Sequence, residues 1–137
     1  MALIIDTGPL FAALDRDDDF HVPCRDLVSQ FAGELLVPAP VLVEVDYWIH
    51  TRLDANAGAR FLEDVASGAL QVVDLIDIDY SRVVEICRQY ADADIGFVDA
   101  AVLAIVERLG EAKLATLDRR HFGMLRPAHV SHLQLLP

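Results

Sequence analysis

Apolar positions along the chain follow two alternating rhythms. Short apolar runs at residues 2–5, 35–37, 70–73 and 113–116 are bounded by polar or turn-forming residues and predict strands, with 133–135 a weaker fifth. Between them the spacing becomes helical. Phe20, Cys24, Leu27, Val28 and Phe31 fall on one helix face, as do Tyr80, Val83, Val84, Cys87 and Tyr90 behind Asp79 as N-cap. Asp54 heads a further helix through Ala66. Pro40 suits the first position of a helix whose run 41–49 is apolar nearly all round and is therefore expected to be buried, like the run 98–106. Strands separated by helices cannot pair as hairpins, so the pattern predicts a three-layer α/β/α fold. Its central parallel sheet has four to five strands joined by right-handed crossovers, within a single domain over residues 1–137.

Composition adds a sizeable core, since 54% of residues are hydrophobic. The apolar runs fall short of the roughly 18 residues a membrane span needs, and no basic leader with a cleavage site opens the chain, so a soluble cytoplasmic protein is expected. Cys24 and Cys87 share no metal-binding or redox spacing and read as reduced core thiols. The net charge of −11 argues against a broad basic surface for nucleic acid. Charge is unevenly distributed, however. Residues 1–112 carry seven Lys or Arg against twenty-one acids, whereas 113–137 carry four bases against Asp118 alone, so RNA is expected to approach the C-terminal edge. The run Asp17, Asp18, Asp19 reads as a solvated loop capping the next helix.

Four carboxylates stand where apolar surroundings do not tolerate them alone. Glu44 lies inside the apolar run 41–49, where capping is unavailable, and Asp99 is the only charged residue of 98–106. An isolated buried carboxylate must be neutralised, hydrogen-bonded or held by a cation. Asp6 and Asp118 directly follow strands, at the edge where open α/β sheets hold their ligands. Taken singly, Asp6 and Asp118 also suit turns, and Asp99 suits an N-cap. Gathered on one sheet edge, the four would repel one another unless protonated or compensated by a hard divalent cation, with Mg2+ or Mn2+ the best match to oxygen ligands. Zinc is disfavoured because no histidine or cysteine spacing supports it. Asp92 and Asp94 could join the cluster, whereas Asp46, two residues beyond Glu44, points elsewhere on a helix.

The strings carrying these acids resemble the VapC-like branch of the PIN domain family. LIIDTGPLFAAL is similar to its opening strand and turn, with Asp6 and Thr7. VLVEVDYWI is similar to the helix bearing the second acid, Glu44. YADADIGFVDAAVLAIVERLG resembles the third motif, with Asp99, and LATLDRRHFGMLRP the last, with Thr116 and Asp118. The motifs run in the family order over essentially the whole chain.

That resemblance implies hydrolysis of an RNA phosphodiester by water activated by one or two Mg2+ ions, for which Mn2+ can substitute, leaving a 5′-phosphate and a 3′-hydroxyl. Asp6 and Asp99 would be direct ligands, Glu44 a ligand or an acceptor orienting the water, and Asp118 a more distant or second-metal ligand. Thr7 and Thr116 carry hydroxyls suited to orienting carboxylates or phosphate. Arg119, Arg120 and His121, with Arg126 farther out, are candidate phosphate contacts. The resemblance further implies a homodimer neutralised by a VapB-type antitoxin whose C-terminal segment lies in a groove between early helices, with Tyr47, Trp48, Ile49 and Phe61 as candidate apolar anchors. The targets it leaves open are transfer RNA and ribosomal RNA. Competing readings are a metal-independent ribonuclease using His50 and His121 as acid and base, and a catalytically silent interaction module. A haloacid phosphatase would need an Asp at Gly8 and a receiver an acid at Ile5, and no nucleotide-binding glycine loop is present.

Overall fold

In the computed structural model, which describes all 137 residues, five parallel strands form one sheet in the order β3-β2-β1-β4-β5. The strands are β1 (Ala2–Ile5), β2 (Glu34–Pro38), β3 (Gln71–Val73), β4 (Lys113–Ala115) and β5 (Gln134–Leu136). Seven helices join them: α1 (Thr7–Leu14), α2 (His21–Gln30), α3 (Ala39–Arg52), α4 (Ala55–Ser67), α5 (Asp77–Gln89), α6 (Phe97–Leu109) and α7 (Arg119–Met124), with a single 3-10 turn at Ala91–Ala93. The expected parallel α/β/α architecture and all five expected strands are present.

Strand β1 is buried along its whole length, as a central strand covered on both faces must be. It pairs with β2 on one side, Leu3 against Leu35, and with β4 on the other, Ile4 against Leu114. Gly33 permits the first of these pairings. A Cβ there would fall 2.2 Å from the Met1 carbonyl oxygen, which accepts the Glu34 amide at the start of the ladder. The chain fills β1, β2 and β3 in one direction and then returns to place β4 on the far side of β1. This reversal opens a crevice between the carboxyl ends of β1 and β4, the position where doubly wound sheets bind ligands.

Several local expectations need correction. α3 begins at Ala39, one residue before Pro40, and is not buried all round: Val41, Val45 and Ile49 enter the core, while Val43 and Tyr47 are 70% and 64% exposed. Full burial belongs instead to α6, where residues 100–106 are all buried. α5 is capped at Ile76, not Asp79. Asp79 is the third helical residue. It turns back to accept the Ile76 amide at 3.0 Å, while Arg108 of α6 donates its Nε–H to both carboxylate oxygens at 3.0 Å. The Asp54 N-cap is as expected, accepting the Ala57 amide at 2.8 Å. In the acidic loop, Asp18 accepts the Phe20 amide at 2.8 Å just before α2. Cys24 is fully buried and Cys87 half-buried, both as free thiols. Among the expected anchors, Ile49 and Phe61 belong to the core, and Trp48 packs edge-on against Phe11 beneath the Arg52 guanidinium. Tyr47 alone of the four is exposed.

Candidate metal centre

Four helices begin at the crevice between β1 and β4 or beside it, and each carries one of the expected acids near its start. Asp6 is the N-cap of α1, Glu44 lies in the second turn of α3, Asp99 is the third residue of α6, and Asp118 is the N-cap of α7. The Asp6 amide donates to the Ala115 carbonyl at 2.9 Å, stitching the end of β1 to β4. Next to it Thr116, fully buried, donates its hydroxyl to Asp6 Oδ2 at 2.8 Å and accepts the Asp118 amide at 3.0 Å. One hydroxyl therefore fixes a carboxylate on one strand and the turn bearing a second carboxylate on its neighbour.

Asp118 caps α7 through Oδ1, which accepts the His121 amide at 3.0 Å. Its Oδ2 lies 2.7 Å from His121 Nδ1, and the same nitrogen is 3.7 Å from Asp99 Oδ2. Because an ionised carboxylate offers only acceptors, Nδ1 supplies the proton in the shorter contact. Ligating atoms of Asp99, Asp118 and His121 all lie within 4.8 Å of one another.

The electrostatics tie Asp6 and Glu44 to the same group. Burial is the main reason that the Asp6 carboxyl is pushed up from its ordinary 3.8 to about 6. The Thr7 amide and the Thr116 hydroxyl pull it down, and the charges of Asp99 and Glu44 add to the rise. Asp99 is also raised, first by burial, then by Asp118 and, more weakly, Glu44, with His121 acting in the opposite sense. Asp6, Glu44, Asp99 and Asp118 thus share one field. Asp92 and Asp94 are exposed and do not figure among the groups perturbing either carboxyl, and Asp46 is likewise exposed.

A hard divalent cation matches this arrangement. Asp99 and Asp118 bring carboxylate oxygens within 4.8 Å of each other beside the His121 ring, and Asp6 and Glu44 are tied to Asp99 through charge. Beside them the Thr7 hydroxyl is buried at the start of α1 without a hydrogen-bond partner, a polar atom that bound water or phosphate would satisfy. His121 is committed through Nδ1 to Asp118, which suits it to hold that carboxylate in place. Its place in the cluster was not readable as such, because in the sequence it closes a basic run; the signal is its spacing of three from Asp118 on a helix. Arg119 donates to the Pro137 carbonyl, and Arg120 and Arg126 are exposed.

Comparison with known proteins identifies the family and the fold. The PIN domain family model matches residues 3–125. Ribonuclease VapC26 of Mycobacterium tuberculosis is 31% identical over 135 residues, covering 98% of this chain and all of the relative. Among solved structures, Mycobacterium tuberculosis VapC20, described as a sarcin-ricin loop cleaving toxin, superposes with a TM-score of 0.75 at 18% identity, covering 82% of this chain and 86% of its own. VapBC2 from Rickettsia felis, solved bound to a promoter DNA fragment, gives 0.73 at 16% identity over the whole of both chains. With its acids gathered at the switch point of the sheet and its motifs matched over nearly the full length, the chain belongs to the PIN domain family, in the branch of the VapC toxins.

Proposed function

We propose that this protein is a cytoplasmic, metal-dependent endoribonuclease of the toxin type, hydrolysing RNA phosphodiester bonds with Mg2+ or Mn2+ and held in check by a VapB-type antitoxin. The observation that carries the proposal is the convergence of acids at the ends of β1 and β4, where Thr116 bonds Asp6 and the Asp118 turn and Asp99 lies within 4.8 Å of Asp118, with the Asp6 carboxyl raised in the field of Glu44 and Asp99. Support for RNA as substrate comes from the relative named as a ribonuclease and from the toxin described as cleaving the sarcin-ricin loop. A transfer RNA or a ribosomal RNA loop fits, since such sites offer unstacked bases to a shaped surface.

Asp6 and Asp99 are assigned as the direct ligands, Glu44 as a ligand or as the acceptor that orients the attacking water, and Asp118 as the outer or second-metal ligand. The bound cation supplies a lowered water pKa and charge stabilisation at the phosphate. Thr116 keeps Asp6 aimed, and His121 keeps Asp118 aimed. Thr7 offers its free hydroxyl to the phosphate, with Arg120 and Arg126 available to neighbouring phosphates and Arg119 if it leaves Pro137. Proton removal from the water and a leaving 3′-oxygen give 5′-phosphate ends. A homodimer is supported by the exposed face formed by Val43, Tyr47, Tyr80 and Phe97 around a groove of about 890 Å3. The antitoxin reading rests on the VapBC pair among the structural relatives.

The histidine mechanism lacks a comparable observation. His50 lies in the last turn of α3, about 9 Å along the helix axis from Glu44 by the rise per residue, while His121 is bonded to Asp118. End-group analysis of cleaved RNA decides the question. The expectation is 5′-phosphate ends, loss of cleavage in excess chelator and recovery on adding Mn2+. Cyclic 2′,3′-phosphate ends, or full activity in chelator, would overturn the proposal.

A further inference from the structure

The segment that leaves α7 is fastened to the fold residue by residue. Leu125 is buried and donates its amide to the His121 carbonyl at 3.0 Å. The Arg126 amide donates to the Tyr90 hydroxyl at 2.9 Å, Pro127 is buried, and the Ala128 amide donates to Glu107 Oε1 at 3.0 Å. The acceptors are themselves held. Tyr90 closes α5 through its own amide, bonded to the Ile86 carbonyl at 3.0 Å, and packs half-buried against the core. Glu107 is gripped by Arg82 at 2.8 and 3.0 Å.

The backbone of Arg126 therefore has little freedom. A residue before proline is confined to extended conformations, both chain neighbours are buried, and the amide proton is taken by Tyr90. The side chain, in contrast, is exposed and makes no ion pair. In a chain of net charge −11, an unpaired guanidinium on a fixed base is a contact prepared for an anion. α7 rises about 9 Å over its six residues, so Arg126 stands one short helix away from Asp118, which suits a phosphate beside the cleaved one. We infer that Tyr90 is a positioning residue for RNA: by holding the Arg126 amide, its hydroxyl aims the Arg126 guanidinium at a phosphate flanking the bond that is hydrolysed. The same hydrogen bond joins the end of α5, just ahead of the turn leading to Asp99, to the segment following the helix that Asp118 caps. The hydroxyl contributes little to folding, because the Arg126 amide is exposed and water can replace Tyr90 there. The inference rests on the reading of RNA as substrate, and it names the residue that prepares one backbone contact.

Fluorescence anisotropy of labelled dodecauridylate with the full chain in chelator, over a series of KCl concentrations, tests this. Tyr90→Phe should weaken binding about three- to tenfold. Arg126→Gln should lower the slope of log affinity against log salt by about 0.7, the release expected of one phosphate contact on a single strand. In the Arg126→Gln chain, adding Tyr90→Phe should change affinity no further, a coupling that a merely structural hydroxyl would not produce. In cleavage assays Tyr90→Phe should raise KM and leave kcat unchanged, with the Mn2+-induced melting shift as in the wild type. Wild-type affinity in Tyr90→Phe, equal losses on both backgrounds, an unchanged slope in Arg126→Gln, or no binding by the wild type would each overturn the inference. The Arg126→Gln slope decides even if Tyr90→Phe fails to fold, since that side chain is exposed. Cleavage that proved independent of metal would sink the nuclease mechanism and leave the coupling of Tyr90 to Arg126 standing.

Discussion

Replacing Asp6 by Asn should stabilise the metal-free protein at neutral pH while abolishing the metal site. The rise of the Asp6 carboxyl from 3.8 to about 6, at 1.36 kcal/mol per pH unit, means that ionising it costs the fold about 3 kcal/mol. Because the folded value lies above the unfolded one, the folded state holds this proton longer. Stability is therefore highest below the unfolded value near pH 4 and falls as pH rises to about 6, beyond which the loss is constant. Asn carries no charge to desolvate, and its carbonyl can still accept the Thr116 hydroxyl. The repulsion between Asp6 and Asp99 is already part of that cost. Urea denaturation of both proteins in chelator, from pH 4 to pH 8, should give a difference favouring the variant that grows by about 2 kcal/mol between pH 4 and pH 6.5 and then levels, the rest of the change lying below pH 4. A difference independent of pH, or one that shrinks as pH rises, would refute the burial and like-charge origin of the shift.

Three further outcomes follow from the same coordinates. Mg2+ or Mn2+ at about a hundred times its dissociation constant should stabilise the wild type by about 2.7 kcal/mol, roughly 10 °C in melting temperature, and Asp99→Asn should abolish both that shift and RNA cleavage, as read by differential scanning fluorimetry and gel assay. Apparent Mn2+ affinity by calorimetry should rise about tenfold per pH unit below pH 6 and flatten above it, because the cation displaces the Asp6 proton. Asp79→Ala, which removes the buried acceptor of the Ile76 amide and one partner of the part-exposed Arg108, should cost about 1–3 kcal/mol in urea melts while metal-dependent cleavage by the remaining folded protein keeps its chelator sensitivity.

What was legible in the sequence was whatever depends on neighbours along the chain. Asp6 and Asp118 stand out as candidate site residues because an apolar run stops at each, and a strand end is a local event. α1 was not visible: Thr7, Gly8 and Pro9 read as a turn, yet Pro9 falls within the first helical turn, where it forfeits no hydrogen bond, and Leu10, Phe11 and Ala12 bury the helix. Glu44 was found through the apolar run around it, but that run covers a face left exposed on this chain as well as the core face, so apolarity overstated burial. Asp79 was read as a cap because its partner Arg108 lies 29 residues away. The order of strands, set by pairing between distant segments, left no mark on any single stretch.

The topology also explains how the fold tolerates the acids before any cation arrives. Asp6, Asp99 and Asp118 occupy N-cap or first-turn positions of α1, α6 and α7, where the helix macrodipole and free amides favour negative charge by about 0.3–1 kcal/mol each. Glu44, one turn deeper in α3, gains less, because the effect fades beyond the first turn. For Asp6 that compensation is incomplete, since its carboxyl stays raised to about 6 even with the Thr7 amide pulling it down. The sheet therefore assembles a site that folds with its acids only partly compensated, a shortfall of positive charge that a doubly charged ion would fill.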